Sequence, residues 1–593
     1  MEATEPIDAA QPAAFGSDAI ADLLRAMGFD YIALTPGASF RGLHDSLVNH
    51  LGNRQPELLI CIHEEHAVAI AHGYARVTGR PMAVALHANV GLMHATMAIF
   101  NAWCDRIPIF MLGGVGPIDA VKRRPWVDWI HMARDMGALV RGYTKWDDQP
   151  ASIPAALEAM VRAYRIATTA PCGPVFVNLD ATIQEEPLAS APSMPPLERF
   201  TQPVAGDPPE TVVANVAAAL ERASRPLFMI GRVSREAADF DARVALAERV
   251  GARVLTDIKT GASFPTRHPL HPYPPGLYVS AEAGALIRDA DVIVSFDWID
   301  LAGSLRQACG GEFPAATIVH CSLDQYCHNG WSMDYQSLPT AEIAILASPD
   351  RLVARLLDRV AAHSARVESV ASRATSEPVA DRTPPTGRIA IDDLARTTVD
   401  TLAPHRPSYI RLPLSWPGEH CRFEHPLDYI GFDGGGGIGS GPGMAVGAAL
   451  ALRDSGRLPV AVVGDGDYLM GLTALWTGVH HRVPLLVIVA NNQSFFNDEL
   501  HQERVARMRG RPVENRWIGL RMSDPAMNLA MLAQGQGAIG LGPVTSTEEL
   551  VARLDEAVRH VKAGSLCVID AHVAPEYARA VSASLLRQIP AQR

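Results

Sequence analysis

The triplet Gly464-Asp465-Gly466, followed after 24 residues by Asn491-Asn492, constrains this chain more than any other feature. An apolar run, Pro459–Val463, leads into the triplet, a helix is expected over Tyr468–His481, and a second apolar run, Leu485–Ala490, ends at the asparagines. Two short apolar runs joined by a helical stretch make a parallel βαβ unit, since parallel strands need a crossover of about a dozen residues or more. Both halves of the motif then fall at the carboxyl ends of neighbouring strands. There α/β sheets bind their ligands, and a helix N-terminus aimed at the same crevice favours an anion.

The residues at these positions suit a diphosphate and a hard cation. Asp465 offers a carboxylate, Asn492 an amide oxygen and Ser494 a main-chain carbonyl; with two phosphate oxygens and a water they complete an octahedron for Mg²⁺. Gly464 and Gly466 let backbone approach phosphate closely. Gly-Asp-Gly alone marks no more than a tight strand-to-helix turn. With the spacing and the double asparagine, it resembles the diphosphate motif of the thiamine diphosphate (ThDP) enzymes.

Length and composition agree with that resemblance. At 593 residues and 48% hydrophobic composition the chain has material for several cores. Apolar strand-like runs alternate with helical patterns in three blocks, so the fold expected is α/β: three α/β domains with parallel sheets. The boundaries read as 1–185, 206–362 and 389–578, with a C-terminal tail at 579–593. A Pro-rich stretch (Pro187–Pro208) and a polar one (His363–Thr386) separate the blocks. The resemblance makes them the pyrimidine-binding, central and diphosphate-binding domains. The tail, helical in pattern through Leu586, either packs on the body or closes over a site.

No run of about 18 uncharged apolar residues is present, and Met1–Ala14 is acidic and Ala/Pro-rich, so neither a membrane span nor a secretory signal is expected, and the chain reads as cytoplasmic. The eight cysteines, Cys327 among them, are scattered without C-x-x-C or zinc spacing and read mostly as buried thiols. A net charge of −12 without a dominant basic block argues against nucleic acid as a partner. Lys122-Arg123-Arg124 is the local exception, read first as a solvated loop.

A second motif lies in the first block. Glu64 follows a strand-like run, Leu58–Ile62, and is spaced eight residues ahead of Gly73-Tyr74-Ala75-Arg76. Alone, Glu64-Glu65 reads as well as a pair of carboxylates favouring a helix N-terminus. The E-x8-GYAR spacing is similar to the family's pyrimidine-domain motif, which implies that Glu64 is the carboxyl group that hydrogen-bonds the aminopyrimidine and activates the thiazolium. Asp433-Gly434-Gly435-Gly436-Gly437-Ile438-Gly439, after a strand-like Tyr429–Phe432, contains a literal G-x-G-x-x-G, but no fitting acidic residue closes a compact βαβ unit behind it. By the resemblance, Ile438 is the apolar residue that props the two cofactor rings against each other, and Gly436 offers its carbonyl to the pyrimidine amine.

Leu86-His87-Ala88-Asn89-Val90-Gly91, running to Asn101-Ala102-Trp103, resembles the benzoylformate decarboxylase-like branch of the family, where a histidine at the position of His87 faces the substrate. Ala474-Leu475-Trp476-Thr477 adds to the likeness. As chemistry, His87 donates a proton or holds a carboxylate; as structure, it is a core histidine satisfied by backbone. Three departures stand out. Pro36-Gly37-Ala38 lacks the serine expected after Pro-Gly, with Ser39 one place later, which puts carboxylate recognition by a hydroxyl in doubt. Beyond Asn492 and Ser494 the chain runs Phe495-Phe496-Asn497-Asp498-Glu499, polar for an aromatic-ring pocket, so Asp498 and Glu499 are either proton-transfer candidates or a capped, solvated helix start. Asp467, next to the expected phosphates, is unfavourable unless it caps the helix and points away.

The reading is a ThDP- and Mg²⁺-dependent enzyme that cleaves or forms C–C bonds next to a carbonyl: a 2-oxo acid decarboxylase or carboligase, benzoylformate decarboxylase-like or acetolactate synthase-like. Glu64, His87, Asp498 and Glu499 are its catalytic candidates. Cofactor contacts fall to Glu64, Gly436 and Ile438 in one motif and to Gly464, Asp465, Gly466, Asp467, Asn492, Ser494 and Phe495 in the other, with metal at Asp465, Asn492 and Ser494. FAD is not expected, because the flavin-associated Gly-Met-His-Gly pattern is missing after His268–Pro272. The alternatives are a 2-hydroxyacyl-CoA lyase, calling on Lys122–Arg124 and Arg232 for CoA phosphates, and a non-catalytic ThDP-binding paralogue. The family implies a homodimer or homotetramer with active sites at subunit interfaces.

Overall fold

The computed structural model describes residues 12–204, 206–325, 337–361 and 388–576. The first eleven residues, Cys327, the polar stretch His363–Thr386 and the tail beyond Glu576 lie outside the described residues.

Sixteen strands among the described residues form three sheets, each parallel throughout. The first contains β1 (Tyr31–Leu34), β2 (Glu57–Ile60), β3 (Ala83–His87), β4 (Phe110–Val115), β5 (Trp146–Asp148) and β6 (Val175–Asp180) in the order β2-β1-β3-β4-β6-β5. The second contains β7 (Pro226–Ile230), β8 (Arg253–Thr256), β9 (Val292–Phe296), β10 (Thr317–Ser322) and β11 (Ile343–Leu346) in the order β11-β10-β9-β7-β8. The third contains β12 (Pro407–Arg411), β13 (Leu458–Gly464), β14 (Leu485–Asn491), β15 (Ile539–Val544) and β16 (Leu566–His572) in the order β12-β13-β14-β16-β15. Every residue of the central strands β4, β6 and β14 is buried, which is why they read as continuous apolar runs instead of alternating ones. In β7 the period of two survives inside the core: Leu227 and Met229 join one apolar cluster, Phe228 and Ile230 another.

The chain divides into two compact units that interleave in sequence. One, made of the described residues within 12–204, 433–454 and 469–484, is built on the first sheet; the other, the described residues within 206–432, 455–468 and 485–576, carries the second and third. Six helices carry or support the candidate site residues: α1 (Glu64–Thr78), α2 (Ala88–Cys104), α3 (Gly441–Ala451), α4 (Asp465–Gly471), α5 (Ala474–His480) and α6 (Phe496–Met508).

Within the first unit α1 and α3 approach closely, and this explains the glycine of Gly-Tyr-Ala-Arg. A Cβ on Gly73 would overlap the Met444 carbonyl, and one on Gly447 would overlap that of Ile70. The arginine has a structural task as well. Arg76 and His72, both buried on α1, meet the carboxylate of Asp105 just beyond α2, His72 at 3.0 Å.

Three local expectations change. The helix expected over Tyr468–His481 is two helices, α4 and α5, interrupted after Gly471; the Gly439 carbonyl and Pro442 occupy the space its Cβ would take, and glycine is a poor helix former. Tyr429–Phe432 forms no strand: only Tyr429 bridges to Tyr409, through backbone bonds on either side of it. The G-x-G-x-x-G that follows therefore does not pass directly from strand to helix. Its glycines answer to α2 instead, since Cβ atoms on Gly434, Gly435 and Gly437 would run into Asp105, Asn101 and Met97.

Candidate active site

Adjacent strands of the first sheet each lead to a polar residue at their carboxyl ends: Ser39 after β1, Glu64 after β2 and His87 as the last residue of β3. Glu64 is the first residue of α1, where the helix dipole favours a carboxylate, and it is 7% exposed. Its Oε2 lies 3.0 Å from Nδ1 of His94 on α2. Gly91, earlier on α2, gives the carboxyl room: a Cβ there would stand 3.1 Å from Oε1. His63 caps α1, accepting the Glu65 N–H at Nδ1 (3.2 Å), and its ring stacks on that of His94 with centroids 4.9 Å apart.

His87 is not satisfied by backbone. Its Nδ1 is hydrogen-bonded to Oγ of Ser39 at 2.8 Å, its ring stands edge-on to Phe40, and His131 lies 4.9 Å away between ring centroids. Burial, and then the neighbouring His131, hold the His87 imidazole below its ordinary range, so the ring is neutral at pH 7. The hydroxyl one residue later than expected thus reaches the histidine, and Ser39 is buried there.

In the same unit, Asp433–Gly439 runs as an irregular loop pinned by Ser440, whose Oγ donates to Asp433 Oδ2 (3.0 Å) and accepts from Asn101 Nδ2 (3.3 Å). Gly436 adopts φ +65° with open space where a Cβ would be. Ile438 is 36% exposed.

The second unit holds the other motif. Asp465 opens α4 at the end of β13, 3% exposed. Its carboxylate accepts the N–H groups of Gly466 (2.9 Å) and Ser494 (3.3 Å). Burial pushes its pKa up to about 6, only partly offset by those backbone donors. Asn492 Oδ1 accepts the Ser494 N–H at 2.9 Å. Its neighbour does something else: Asn491 donates to buried Asp570 Oδ1 (2.8 Å) and accepts the Gln493 N–H (3.2 Å), which sets the turn after β14. Phe495 covers Gly466, whose Cβ would stand 2.9 Å from the ring. A buried carboxylate held by backbone N–H groups, beside an amide oxygen and main-chain carbonyls, is the all-oxygen donor set that suits Mg²⁺. Gly464, with nothing within 4 Å of a would-be Cβ, leaves room above the strand end for a phosphate.

Three family models match the chain in succession. The N-terminal TPP-binding domain of thiamine pyrophosphate enzymes matches residues 15–139, their central domain residues 213–327, and their C-terminal TPP-binding domain residues 414–571. The chain belongs to the thiamine diphosphate-dependent enzyme superfamily. It is similar to benzoylformate decarboxylase of Pseudomonas aeruginosa, with 25% identity over 449 residues covering 74% of this chain and 79% of that one. It is also similar to the large subunit of acetolactate synthase isozyme 1 of Escherichia coli, with 23% identity over 491 residues covering 81% and 82%. Its fold matches the crystal structure of benzoylformate decarboxylase from Polynucleobacter necessarius, with a TM-score of 0.78 at 20% identity over 95% of this chain and all of that one. Among such relatives, this ThDP enzyme is a lyase or carboligase.

Several residues of the ThDP enzyme were not legible as site residues. Asp467 neither caps a helix nor meets solvent: it is buried and paired with Arg411 Nε at 2.7 Å, and the guanidinium lies over Phe432. Arg411 had no sequence signal. Of the two acids after the asparagines, Asp498 is exposed, as a solvated helix start would be, but Glu499 is fully buried. Burial alone would raise Glu499; hydrogen bonds from Arg521 (2.8 Å) and Ser494 Oγ (2.6 Å) hold it below the usual carboxylate range. Glu499 thereby ties the Ser494 turn to the segment around Arg521, which also pairs with it through backbone bonds from Phe495 to Leu520 and from Met522 to Gln493.

The basic residues that CoA phosphates would call on are largely committed. Arg124 pairs with Asp128 (2.9 Å), Arg123 donates to the carbonyls of Pro117 and Ile118, and Arg232 pairs with Asp297 (3.3 Å). Among the described residues no helix is long and apolar enough to cross a membrane.

Proposed function

We propose that this enzyme is a ThDP- and Mg²⁺-dependent 2-oxo acid decarboxylase or carboligase. The observation that carries the reading is the grouping at one end of the first sheet: a buried carboxyl, Glu64, opening a helix, and a neutral imidazole, His87, held by Ser39 at the end of a neighbouring strand. When bound, ThDP supplies a nucleophilic carbon and an electron sink for the bond next to a carbonyl. Glu64 would hold the pyrimidine nitrogen through a hydrogen bond, its carboxyl supplying the proton between them. Gly436 and Ile438 support the rings; Gly464, Gly466 and Phe495 shape the diphosphate turn, and Asp465, Asn492 and the Ser494 carbonyl hold Mg²⁺. With Nδ1 occupied by Ser39, His87 turns Nε2 to the substrate, where a neutral ring donates a hydrogen bond or moves a proton.

Asp498, exposed in the single chain, is the second candidate for proton transfer. Glu499 and Asp467 are buried in ion pairs and act through the turns they fix. As in the family, the pyrimidine and diphosphate halves of one site come from two copies of a cytoplasmic homodimer or homotetramer. The committed arginines favour a small 2-oxo acid over an acyl-CoA thioester.

The test is turnover of a panel of 2-oxo acids and 2-hydroxyacyl-CoA thioesters by the full chain with ThDP and Mg²⁺, read by mass spectrometry. CO₂ with an aldehyde or acyloin is expected; formyl-CoA without CO₂ would move the enzyme to the lyases.

A further inference from the structure

The two oxygens of Glu64 have different surroundings. Oε1 faces the gap left by Gly91, while Oε2 is 3.0 Å from His94 Nδ1, a contact that needs one proton between the two groups. In the single chain the carboxyl is nearly sealed from water, whereas the His94 side chain is 50% exposed. An imidazole with one nitrogen on a buried acid and half its surface in solvent is built to pass protons, because a proton taken up at one nitrogen is matched by one leaving the other.

The ring is also held in plane. His63 stacks on it at an interplanar angle of 18°, and His63 is itself fixed by the Glu65 N–H at its Nδ1. That hydrogen bond requires an unprotonated Nδ1, so His63 serves as a neutral wall and does not compete for the proton. Both histidines and Glu64 sit close enough to suggest a metal site. Ligation through either nitrogen of His63 would cost the α1 cap: Nδ1 would be withdrawn from the Glu65 N–H, and freeing Nε2 would move the proton onto Nδ1.

We propose that His94 is a positioning residue for Glu64: it fixes Oε2, turns Oε1 toward the cofactor pyrimidine, and connects the buried carboxyl to solvent protons. In the forward direction Nε2 takes a proton from water as Nδ1 gives one to Oε2. Oε1 would release its own proton toward the pyrimidine as Oε2 gains this one, so the ring stays neutral and the carboxyl keeps one proton; the reverse path returns it. This rests on the assignment of Glu64 as the cofactor-activating acid.

The experiment needs no substrate. The full chain loaded with ThDP and Mg²⁺ is placed in D₂O, and the exchange of the thiazolium C2 proton is followed by rapid acid quench and NMR. His94→Ala is expected to slow exchange about tenfold or more, within the range of positioned acid–base groups, with partial recovery on adding imidazole. His94→Gln, which keeps a donor to Oε2 but cannot relay, is expected to stay slow while holding ThDP within about twofold of the wild-type Kd. In the cofactor-free protein, histidine-selective ¹⁵N NMR should show His94 protonated at Nδ1 and perturbed by Glu64→Gln. Wild-type exchange rates in both His94 variants would overturn the proposal, as would a loss that imidazole does not rescue and that tracks a loss of Tm. If Glu64→Gln itself leaves exchange unchanged, the assignment of Glu64 fails, and His94 with it; slow exchange in Glu64→Gln with normal exchange in the His94 variants sinks His94 alone.

Discussion

Glu64 and Asp465 occupy equivalent positions in different sheets, each opening a helix just beyond a parallel strand and each nearly excluded from water, yet their charges are handled in opposite ways. Glu64 has an imidazole at 3.0 Å with which to share a proton; Asp465 has backbone N–H groups, and burial lifts it to about 6. The first arrangement suits a carboxyl that must gain and lose a proton, the second a carboxylate that waits for a cation. Two other buried acids, Asp467 and Glu499, show how the same chain neutralises a carboxylate that has only to stay put: each is given an arginine. The partner of a buried acid therefore separates proton exchange, metal binding and scaffold within one molecule.

The strongest break of that comparison is Glu64→Gln. If Glu64 exchanges protons, turnover should fall by about 10² to 10⁴ while ThDP is retained after gel filtration. A variant as active as wild type would leave Glu64 a helix-terminal carboxylate and nothing more.

Next in size is Arg411→Met, which leaves Asp467 buried and uncompensated. Breaking a buried pair from one side costs about 3–5 kcal/mol, and the double variant Arg411→Met/Asp467→Asn should recover most of it in denaturant unfolding. An equal loss in the double variant would show that Arg411 stabilises through its contact with Phe432 and not through charge.

Asp465→Asn should go the other way in metal-free protein. The folded pKa of Asp465, about 6, lies above its ordinary value, so the fold prefers the protonated acid. Its contribution is complete below about pH 4 and is lost as pH rises through 6. With EDTA at pH 7.5 the asparagine variant should be more stable than wild type by about 1–3 kcal/mol, less at pH 5, while failing to retain ThDP in Mg²⁺ buffer. Equal stabilities at both pH values would mean that water or a neighbouring group already compensates the carboxylate.

What was legible in advance follows the range of the forces involved. The strand Leu485–Asn491 declared itself through the apolar run Leu485–Ala490, and Gly464-Asp465-Gly466 through its place at the end of the preceding apolar run. The break between α4 and α5 did not, because it depends on the carbonyl of Gly439, some thirty residues earlier. Nor did the use of each acid: Asp498 and Glu499 are adjacent and equally polar, but one is exposed and the other is buried under Arg521, 22 residues on. Ser39 lay in between, visible as a serine displaced by one position, with its bond to His87 set only when β1 and β3 pair.

That bond gives the smallest and most discriminating prediction. Ser39→Ala removes one hydrogen bond from a buried, neutral imidazole, which should lower stability by about 1 kcal/mol and leave the protein folded. Without Ser39 the ring keeps its neighbours Phe40 and His131 but loses what fixes Nδ1, so Nε2 is presented to substrate only part of the time. Turnover of whichever 2-oxo acid proves to be accepted should fall about tenfold, equivalent to roughly 1.4 kcal/mol, with ThDP affinity unchanged. Because Ser39 follows β1 while Glu64 follows β2, an unchanged thiazolium exchange rate in Ser39→Ala would separate substrate handling from cofactor activation at the same end of the sheet. A matching drop in exchange would instead join His87 and Ser39 to the proton network of Glu64.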